Sequence, residues 1–133
     1  MEPSEIGAAY GLVQLSKLDE IKKKRGLAFK RMEVIFSKYL DYVRLCKSNP
    51  DAELVWMHFP FIIKYDAPFS RRDLQIYFEE NGIQTRPVWS LNHKQRPYKN
   101  CQSYKIKRAE ELAKNSLCLP SSTNLAADNI NNI

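Results

Sequence analysis

The chain of 133 residues has few of the residues on which disulfide frameworks and metal sites depend. Its three cysteines, Cys46, Cys101 and Cys118, are far apart and form no Cys-x-x-Cys pair. Such spacing argues against a disulfide framework and against zinc, and it suits a reducing compartment. The start lacks the charged-then-apolar pattern of a signal peptide, and no apolar run approaches the roughly 18 residues of a membrane span. We therefore expect a cytoplasmic protein without a metal site or a membrane partner.

Catalytic motifs are also scarce. The four glycines form neither a dinucleotide-binding nor a P-loop pattern, and no His-Glu-x-x-His motif occurs. The two histidines, His58 and His93, belong to different predicted elements, and we interpret His58, within an apolar run, as a core histidine. A cysteine nucleophile would need one of these histidines as its base, and nothing in the sequence aligns such a pair. The residues alone therefore predict no complete active site and no catalytic residue.

Negative charge is in the minority. The chain has 21 lysines and arginines against 15 acidic residues, which gives a formal net charge of +6. This balance favours an anionic partner such as nucleic acid, phosphate or a nucleotide. The basic residues are scattered, apart from a cluster at residues 22–25. Its acidic neighbours Asp19 and Glu20 indicate an ordinary solvated helix face.

Apolar spacing predicts an α+β fold in two parts. One helix is expected over residues 4–15, and a second from Ser16, with Ser16 and Asp19 as a capping box, to about Cys46. These linking helices make up residues 1–47. Residues 48–133 are expected to form a small α+β domain with an antiparallel or mixed sheet covered by helices.

Within that domain, strands are predicted at residues 54–63, 83–89 and 117–119. Pro60 lacks a ladder donor and would place the first of them at a sheet edge or at a bulge. Helices are predicted at residues 70–81, opened by a capping box of Ser70 and Asp73, at 104–114, and from 128 onward. The helix at 104–114 is expected to turn its apolar residues inward: Ile106, Ala109, Leu112 and Ala113.

The stretch from Gly82 to Tyr98 is the candidate binding element. Gly82 can adopt the left-handed conformation that ends a helix, and a polar segment with charged and aromatic side chains follows it. Loops of this kind on a rigid scaffold are common binding elements. The candidate substrate-binding residues are Arg86, Trp89, Asn92, His93, Arg96 and Tyr98. An exposed basic connector beside the core is the alternative interpretation.

Each candidate type has its own chemistry. The two arginines offer forked donors that suit a diphosphate or a carboxylate. Trp89 or Tyr98 can present a ring face to a uracil or a sugar. Asn92 and His93 can form hydrogen bonds with sugar hydroxyls or an N-acetyl group.

Several segments resemble the DegT/DnrJ/StrS sugar aminotransferases. Residues 1–15, followed by Leu18-Asp19-Glu20, look like the segment after that family's cofactor-lysine region. Residues 70–74 leading to 82–86 are similar to its C-terminal helix-then-strand unit, and residues 117–125 resemble its closing segment. Residues 86–98 look most like the nucleotide-sugar 4-aminotransferases of the legionaminic acid and bacillosamine type.

The resemblance implies a pyridoxal-phosphate enzyme of fold type I, a homodimer that transfers an amino group from glutamate to a 4-keto-6-deoxy nucleotide sugar. Its product would serve surface polysaccharide or glycan biosynthesis. In the family, the cofactor lysine precedes the position that matches Met1, and Lys17, Lys22 and Lys64 do not lie in its motif. By implication, the chain is the C-terminal small domain, a fragment that binds no cofactor alone and is inactive by itself.

The sequence also departs from the common family pattern. Many members have a His-Tyr pair and a later Pro-Leu-His where this chain has Val88-Trp89 and Leu91-Asn92-His93. Asn92 and the order Gln95-Arg96-Pro97 resemble the related sugar 3-dehydratases, which use pyridoxamine phosphate. The alternatives are therefore such a dehydratase, a basic nucleic-acid-binding module, and a dimerisation piece that pairs through the apolar face of residues 18–43. We favour the aminotransferase, without nucleic acid as a partner.

Overall fold

The computed structural model describes residues 4–46, 49, 51–125 and 130. Helices and strands alternate irregularly along this part of the chain. Their order is α1 (Glu5–Ser16), α2 (Leu18–Phe36), β1 (Val43–Leu45), β2 (Phe59–Ile63), α3 (Arg71–Glu80), β3 (Arg86–Pro87), α4 (Lys107–Asn115) and β4 (Ser116–Leu119). No helix in these residues is both long and apolar enough to span a membrane.

The strands form one sheet in the order β1-β2-β4-β3, and every pair is antiparallel. Phe61 in β2 lies between Leu45 of β1 and Leu117 of β4. On the far side of β4, Arg86 of β3 lies opposite Cys118. The predicted α+β fold is confirmed, and the sheet is antiparallel rather than mixed.

One face of the sheet carries the core. Alternate residues of β2 are buried on this face, as the period-two geometry of a strand requires. From α2, Phe29 packs on Phe59 with ring centroids 5.9 Å apart, and Phe36 packs on Phe61 at 5.1 Å. Phe78 of α3 belongs to the same cluster. The apolar face of α2 is therefore used within the chain, which contradicts the alternative of a dimerisation piece that pairs through this face.

The second helix is shorter than predicted. It ends at Phe36, a 3₁₀ turn follows, and β1 begins at Val43, so the prediction of a helix to Cys46 is wrong. Val43 continues the helical spacing, but Val43 and Leu45 also alternate with the exposed Arg44. Pairing with β2 buries both apolar residues, and that burial favours a strand. The division of the chain at residue 47 stays a prediction.

The two predicted capping boxes have different outcomes. Ser16 does not cap α2, because its Oγ donates to the Val13 carbonyl at 2.8 Å within the last turn of α1. Lys17 occupies the N-cap position of α2 without a side-chain hydrogen bond. Ser70 and Asp73 form the predicted box, and the Ser70 N–H donates to Asp73 Oδ2 at 2.9 Å. The predicted start of α3 is confirmed.

Strand β2 lies inside the sheet, so the prediction that Pro60 marks an edge strand or a bulge is wrong. The Pro60 carbonyl accepts a hydrogen bond from the Cys46 N–H at 3.2 Å. Because the nitrogen and the oxygen of a strand residue point to the same neighbouring strand, the missing donor of Pro60 faces Cys46. Cys46 lies one residue beyond the end of β1, where the loss of a ladder bond disturbs little.

Other boundaries differ where the backbone is unusual. The first predicted strand begins at Phe59, after Trp56 with a φ of 52°, and α4 begins at Lys107, after Lys105 with a φ of 50°. The strand predicted at residues 83–89 is reduced to Arg86–Pro87. The helix predicted from residue 128 lies outside the described residues, apart from Ile130.

Gly82 ends α3 as predicted, with a φ of +75°. Its N–H donates to the Glu79 carbonyl at 3.0 Å, and the Ile83 N–H donates to the Phe78 carbonyl at 2.8 Å. We expect Gly82→Ala to lower the free energy of unfolding by about 1–2 kcal/mol, because a Cβ is strained in this conformation.

Gly11→Ala is the matched control for this prediction. Gly11 lies within α1, and in the described structure no atom beyond its chain neighbours and the nearby helix backbone is within 4 Å of the position of an added Cβ. Alanine within a helix is more stable than glycine by roughly 0.5–1 kcal/mol, so this variant should gain stability. Urea denaturation measures both variants, and equal shifts in the same direction would contradict the assignment of Gly82.

Candidate functional site

The candidate binding loop begins where β3 leaves the sheet. Arg86 and Pro87 pair with β4, after which the chain crosses to α4 through residues 88–106. Two 3₁₀ turns, Asn92–Lys94 and Arg96–Tyr98, shape this loop. Between them, Gln95 Nε2 donates to the Ser90 carbonyl at 3.1 Å and to Asn92 Oδ1 at 3.3 Å. Gln95, which was not predicted as a binding residue, therefore stabilises the loop through hydrogen bonds within it.

A groove of about 800 Å³ lies between this loop and α4. Four of the six predicted binding residues line it, namely Trp89, Asn92, His93 and Tyr98. Trp89 is 67% exposed and Tyr98 is 49% exposed, so both rings offer surface to a ligand. Aromatic faces of this kind stack on bases and on sugar rings.

The opposite wall of the groove is apolar. It includes the four residues that were predicted to turn inward: Ile106 at the N-cap of α4, and Ala109, Leu112 and Ala113 within the helix. They do not belong to the core cluster of the described residues. The prediction that these residues turn inward was therefore wrong, because the apolar face of α4 lines the groove. A groove with one apolar wall and one aromatic, polar wall is typical of small-molecule sites.

The two predicted arginines lie apart from these four residues. Arg86 is exposed on β3 and borders a separate depression on the sheet. Arg96 is exposed on the second 3₁₀ turn and does not line the groove. The structure therefore brings together the ring and hydrogen-bonding candidates, but not the two cationic ones.

His58 lies at the site rather than in the core, so its interpretation as a core histidine was wrong. Its ring is half-buried and meets Trp89 edge to face, with centroids 4.7 Å apart and planes at 79°. His58 precedes β2, whereas Trp89 follows β3. Because this contact depends on the strand order, no local signal in the sequence indicates it.

An acidic residue ties the loop to α4. Glu110 Oε1 lies 3.0 Å from Lys94 Nζ and 3.1 Å from His93 Nε2. The hydrogen bonds from Lys94 and then from His93 hold the pKa of the Glu110 carboxyl below its ordinary value. Since all three side chains are partly exposed, we expect this cluster to order the loop rather than to stabilise the whole fold.

The lowered pKa of Glu110 gives this cluster a pH dependence. A carboxylate with a lowered pKa stabilises the folded loop at a pH above its ordinary pKa. This stabilisation is lost as the pH falls through the lowered pKa. We therefore expect Glu110→Gln to lower the protection of the backbone amides of residues 92–95 against hydrogen exchange at neutral pH. In the unmodified chain, strong acidification should lower the same protection, measured relative to the intrinsic exchange rate at each pH. Glu111→Gln is the control, because Glu111 has no ion pair among the described residues. Equal exchange in both variants would contradict the role of Glu110.

Comparison with known proteins gives a consistent family match. The sequence profile of the DegT/DnrJ/EryC1/StrS aminotransferase family matches residues 2–133. A dTDP-4-amino-4,6-dideoxy-D-glucose transaminase of Shigella dysenteriae is 29% identical over 130 residues, which are 94% of this chain and 34% of that protein. A GDP-4-keto-6-deoxy-D-mannose 3-dehydratase of Escherichia coli O55:H7 is 32% identical over 92 residues, 69% of this chain and 23% of the other.

A solved structure supports the fold. The aminotransferase PseC of Helicobacter pylori, involved in the biosynthesis of pseudoaminic acid, aligns with 96% of this chain at a TM-score of 0.83 and 21% identity. The match covers 34% of the PseC chain. The present chain therefore spans about a third or less of the relatives that it matches.

Proposed function

Since the chain belongs to the DegT/DnrJ/EryC1/StrS aminotransferase family, we propose that it is the substrate-binding C-terminal part of a nucleotide-sugar aminotransferase. The parent enzyme would transfer an amino group from glutamate to a 4-keto-6-deoxy nucleotide sugar in the cytoplasm, for surface polysaccharide or glycan biosynthesis. The observation that carries this proposal is the groove beside α4, in which four predicted binding residues meet.

The groove residues have complementary roles in this proposal. Trp89 or Tyr98 stacks on the base or on the sugar ring, because both keep a large part of their rings uncovered. Asn92 and His93 form hydrogen bonds with hydroxyl or N-acetyl groups. Glu110 on α4 contacts His93 and so fixes this part of the loop, which keeps the polar wall in place when the ligand is absent.

Pyridoxal phosphate, the cofactor of the family, supplies the amino-transfer chemistry when bound, but it does not fit the described residues. This cofactor needs a lysine in an enclosed site and a binding site for its phosphate group. No described lysine is buried, and Lys94, next to His93 of the groove, is exposed and paired with Glu110. The N-terminus of α3 is closed by the Asp73 carboxylate, which would repel a phosphate. We assign the cofactor to another part of the parent enzyme, and no residue here receives a catalytic role.

Helix α1 supports the proposal that a second domain completes the enzyme. It has no buried residue, and its large apolar side chains are 52–83% exposed. These are Ile6, Tyr10, Leu12, Val13 and Leu15. A helix that exposes apolar residues on all sides needs cover in water. We propose that the large cofactor-binding domain covers α1 in a homodimeric parent enzyme.

A dehydratase is the second candidate function. The observation in its favour is the 32% identity to the GDP-4-keto-6-deoxy-D-mannose 3-dehydratase. A 3-dehydratase and a 4-aminotransferase would both take a 4-keto nucleotide sugar. The groove would therefore serve either enzyme, and the residues that choose between the reactions would lie with the cofactor.

A nuclear magnetic resonance titration of the chain with a 4-keto-6-deoxy nucleotide sugar tests the proposed function. We expect saturable shifts of the Trp89 indole signal and of the amides of residues 90–98. The amides around Lys23 on α2 should stay unchanged. An RNA oligonucleotide forms the second arm. Shifts around residues 22–25 with RNA, and none in the loop with the nucleotide sugar, would instead support the nucleic-acid module.

A further inference from the structure

We propose that the depression bordered by β3 and by the segment after β4 binds a phosphate or diphosphate group through Arg86, His58, Gln84 and Ser122. This site adjoins the groove of the proposed function but does not share its binding residues. The inference rests on the proposed function, for which it names the position of the nucleotide's diphosphate.

The depression has the donor chemistry of an anion site. It encloses about 320 Å³ and is lined by His58, Gln84, Arg86, Cys118, Leu119, Pro120, Ser121 and Ser122. Among the residues that the structure describes, no carboxylate belongs to this lining, and each of its imidazole, amide, guanidinium and hydroxyl groups can donate a hydrogen bond. Arg86 supplies a permanent charge in a forked geometry that suits phosphate oxygens.

The fold holds these donors in place. Arg86 is fixed in register opposite Cys118. Ser121 Oγ donates to the Met57 carbonyl at 2.6 Å, which joins the segment carrying His58 to the segment after β4. Ser122 Oγ accepts a hydrogen bond from the Asn124 N–H at 3.2 Å, so the hydroxyl proton of Ser122 is free to donate into the depression.

The charge of the depression is not cancelled by its surroundings. Arg86 has no acidic partner within ion-pair distance in the described part of the chain. Cys118 also lines the depression, and burial raises the pKa of its thiol, so it stays neutral and does not repel an anion. The site therefore combines a free guanidinium with neutral donors.

His58 connects this depression to the groove. Its ring borders the depression on one side and meets the Trp89 ring, at 4.7 Å, on the other. A ring stacked near Trp89 would therefore lie beside the anion site. A nucleotide sugar has this order of parts, since its diphosphate adjoins the nucleoside and the sugar.

Pyrophosphate titration of the full chain, followed through the imidazole signals of its two histidines, tests the site. We expect a saturable shift of the His58 signal and none of the His93 signal. Arg86→Gln should weaken this binding by about tenfold or more, the loss expected for hydrogen bonds to a charged group. Arg44→Gln is the matched control, because Arg44 is exposed on β1 at the opposite edge of the sheet, and it should bind as the unmodified chain does. An unmoved His58 signal, or equal losses in the two variants, would overturn the site.

A second variant tests the hydrogen-bond donor of His58 independently of the contact between its ring and Trp89. His58→Phe keeps a ring against Trp89 and removes the donor, so pyrophosphate should bind more weakly while the free chain's Trp89 indole signal stays near its original position. Pyrophosphate binding of undiminished strength would remove His58 from the site and overturn the proposal as stated.

A nucleotide-sugar arm separates this inference from the proposed function. If the nucleotide sugar shifts the loop signals and neither ligand shifts His58, the anion site is overturned and the proposed function stands. If pyrophosphate shifts His58 and the nucleotide sugar shifts neither His58 nor the loop, the anion site is supported for free pyrophosphate and the proposed function fails.

Discussion

The Phe59→Ala variant will lose about 3–5 kcal/mol of unfolding free energy, the range found when a buried phenylalanine is truncated. Phe59 is 0% exposed in β2, which pairs on both sides. Its ring packs on Phe29 of α2, so truncation leaves a cavity between the sheet and its main covering helix. A small domain has about 5–15 kcal/mol of stability in total, so this loss removes a large share of it.

Tyr65→Ala is the matched control for the core, because Tyr65 is 101% exposed. Its effect should stay within about 0.5 kcal/mol, as for most surface substitutions. Guanidinium denaturation of both variants measures the difference. Similar losses in the two variants would contradict the position of the core between α2 and β2.

The Trp89→Ala variant will weaken nucleotide-sugar binding by about 1–3 kcal/mol, which is the measured worth of stacking a base on an aromatic side chain. Trp89 is 67% exposed, so its removal should leave the fold nearly intact. Its ring is nevertheless held on one side by His58, which presents it in a defined orientation. The expected result is a large loss of affinity with a small change in stability.

Two variants make this prediction specific. Trp89→Phe keeps a ring and should retain a large part of the affinity. Tyr65→Ala removes an exposed aromatic that does not line the groove and should retain all of it. Calorimetric titration with the nucleotide sugar gives the three affinities. A Trp89→Ala affinity equal to that of Tyr65→Ala would show that the groove is not the binding site.

The two ends of α3, which are set by neighbouring residues, were predictable from the sequence. The capping box of Ser70 and Asp73 and the left-handed Gly82 both depend on interactions within a few residues, and both ends of α3 were confirmed. Strand β1 was missed because Val43 continues the helical spacing, whereas Val43 and Leu45 also have the alternation of a strand. Only the pairing with β2, from a distant part of the sequence, decides between the two.

The site follows the same rule. Residue type selected Trp89, Asn92, His93 and Tyr98, which the structure places along one groove. Residue type could not distinguish Arg86, which borders the donor-lined depression, from Arg96, which does not. His58 and Glu110 were missed because their partners come from other elements. The pairing of the Glu110 carboxylate on α4 with the adjacent His93 and Lys94 of the loop forms only after folding.

The purified chain, incubated with one equivalent of pyridoxal phosphate and with glutamate, offers the most direct test that it supplies substrate binding and not the amino-transfer chemistry. Chromatography of the coenzyme measures the formation of pyridoxamine phosphate. We predict no conversion above that in a chain-free control, because no described lysine is held in an enclosed site. Complete, saturable conversion by the chain alone would show that the chemistry resides in these residues.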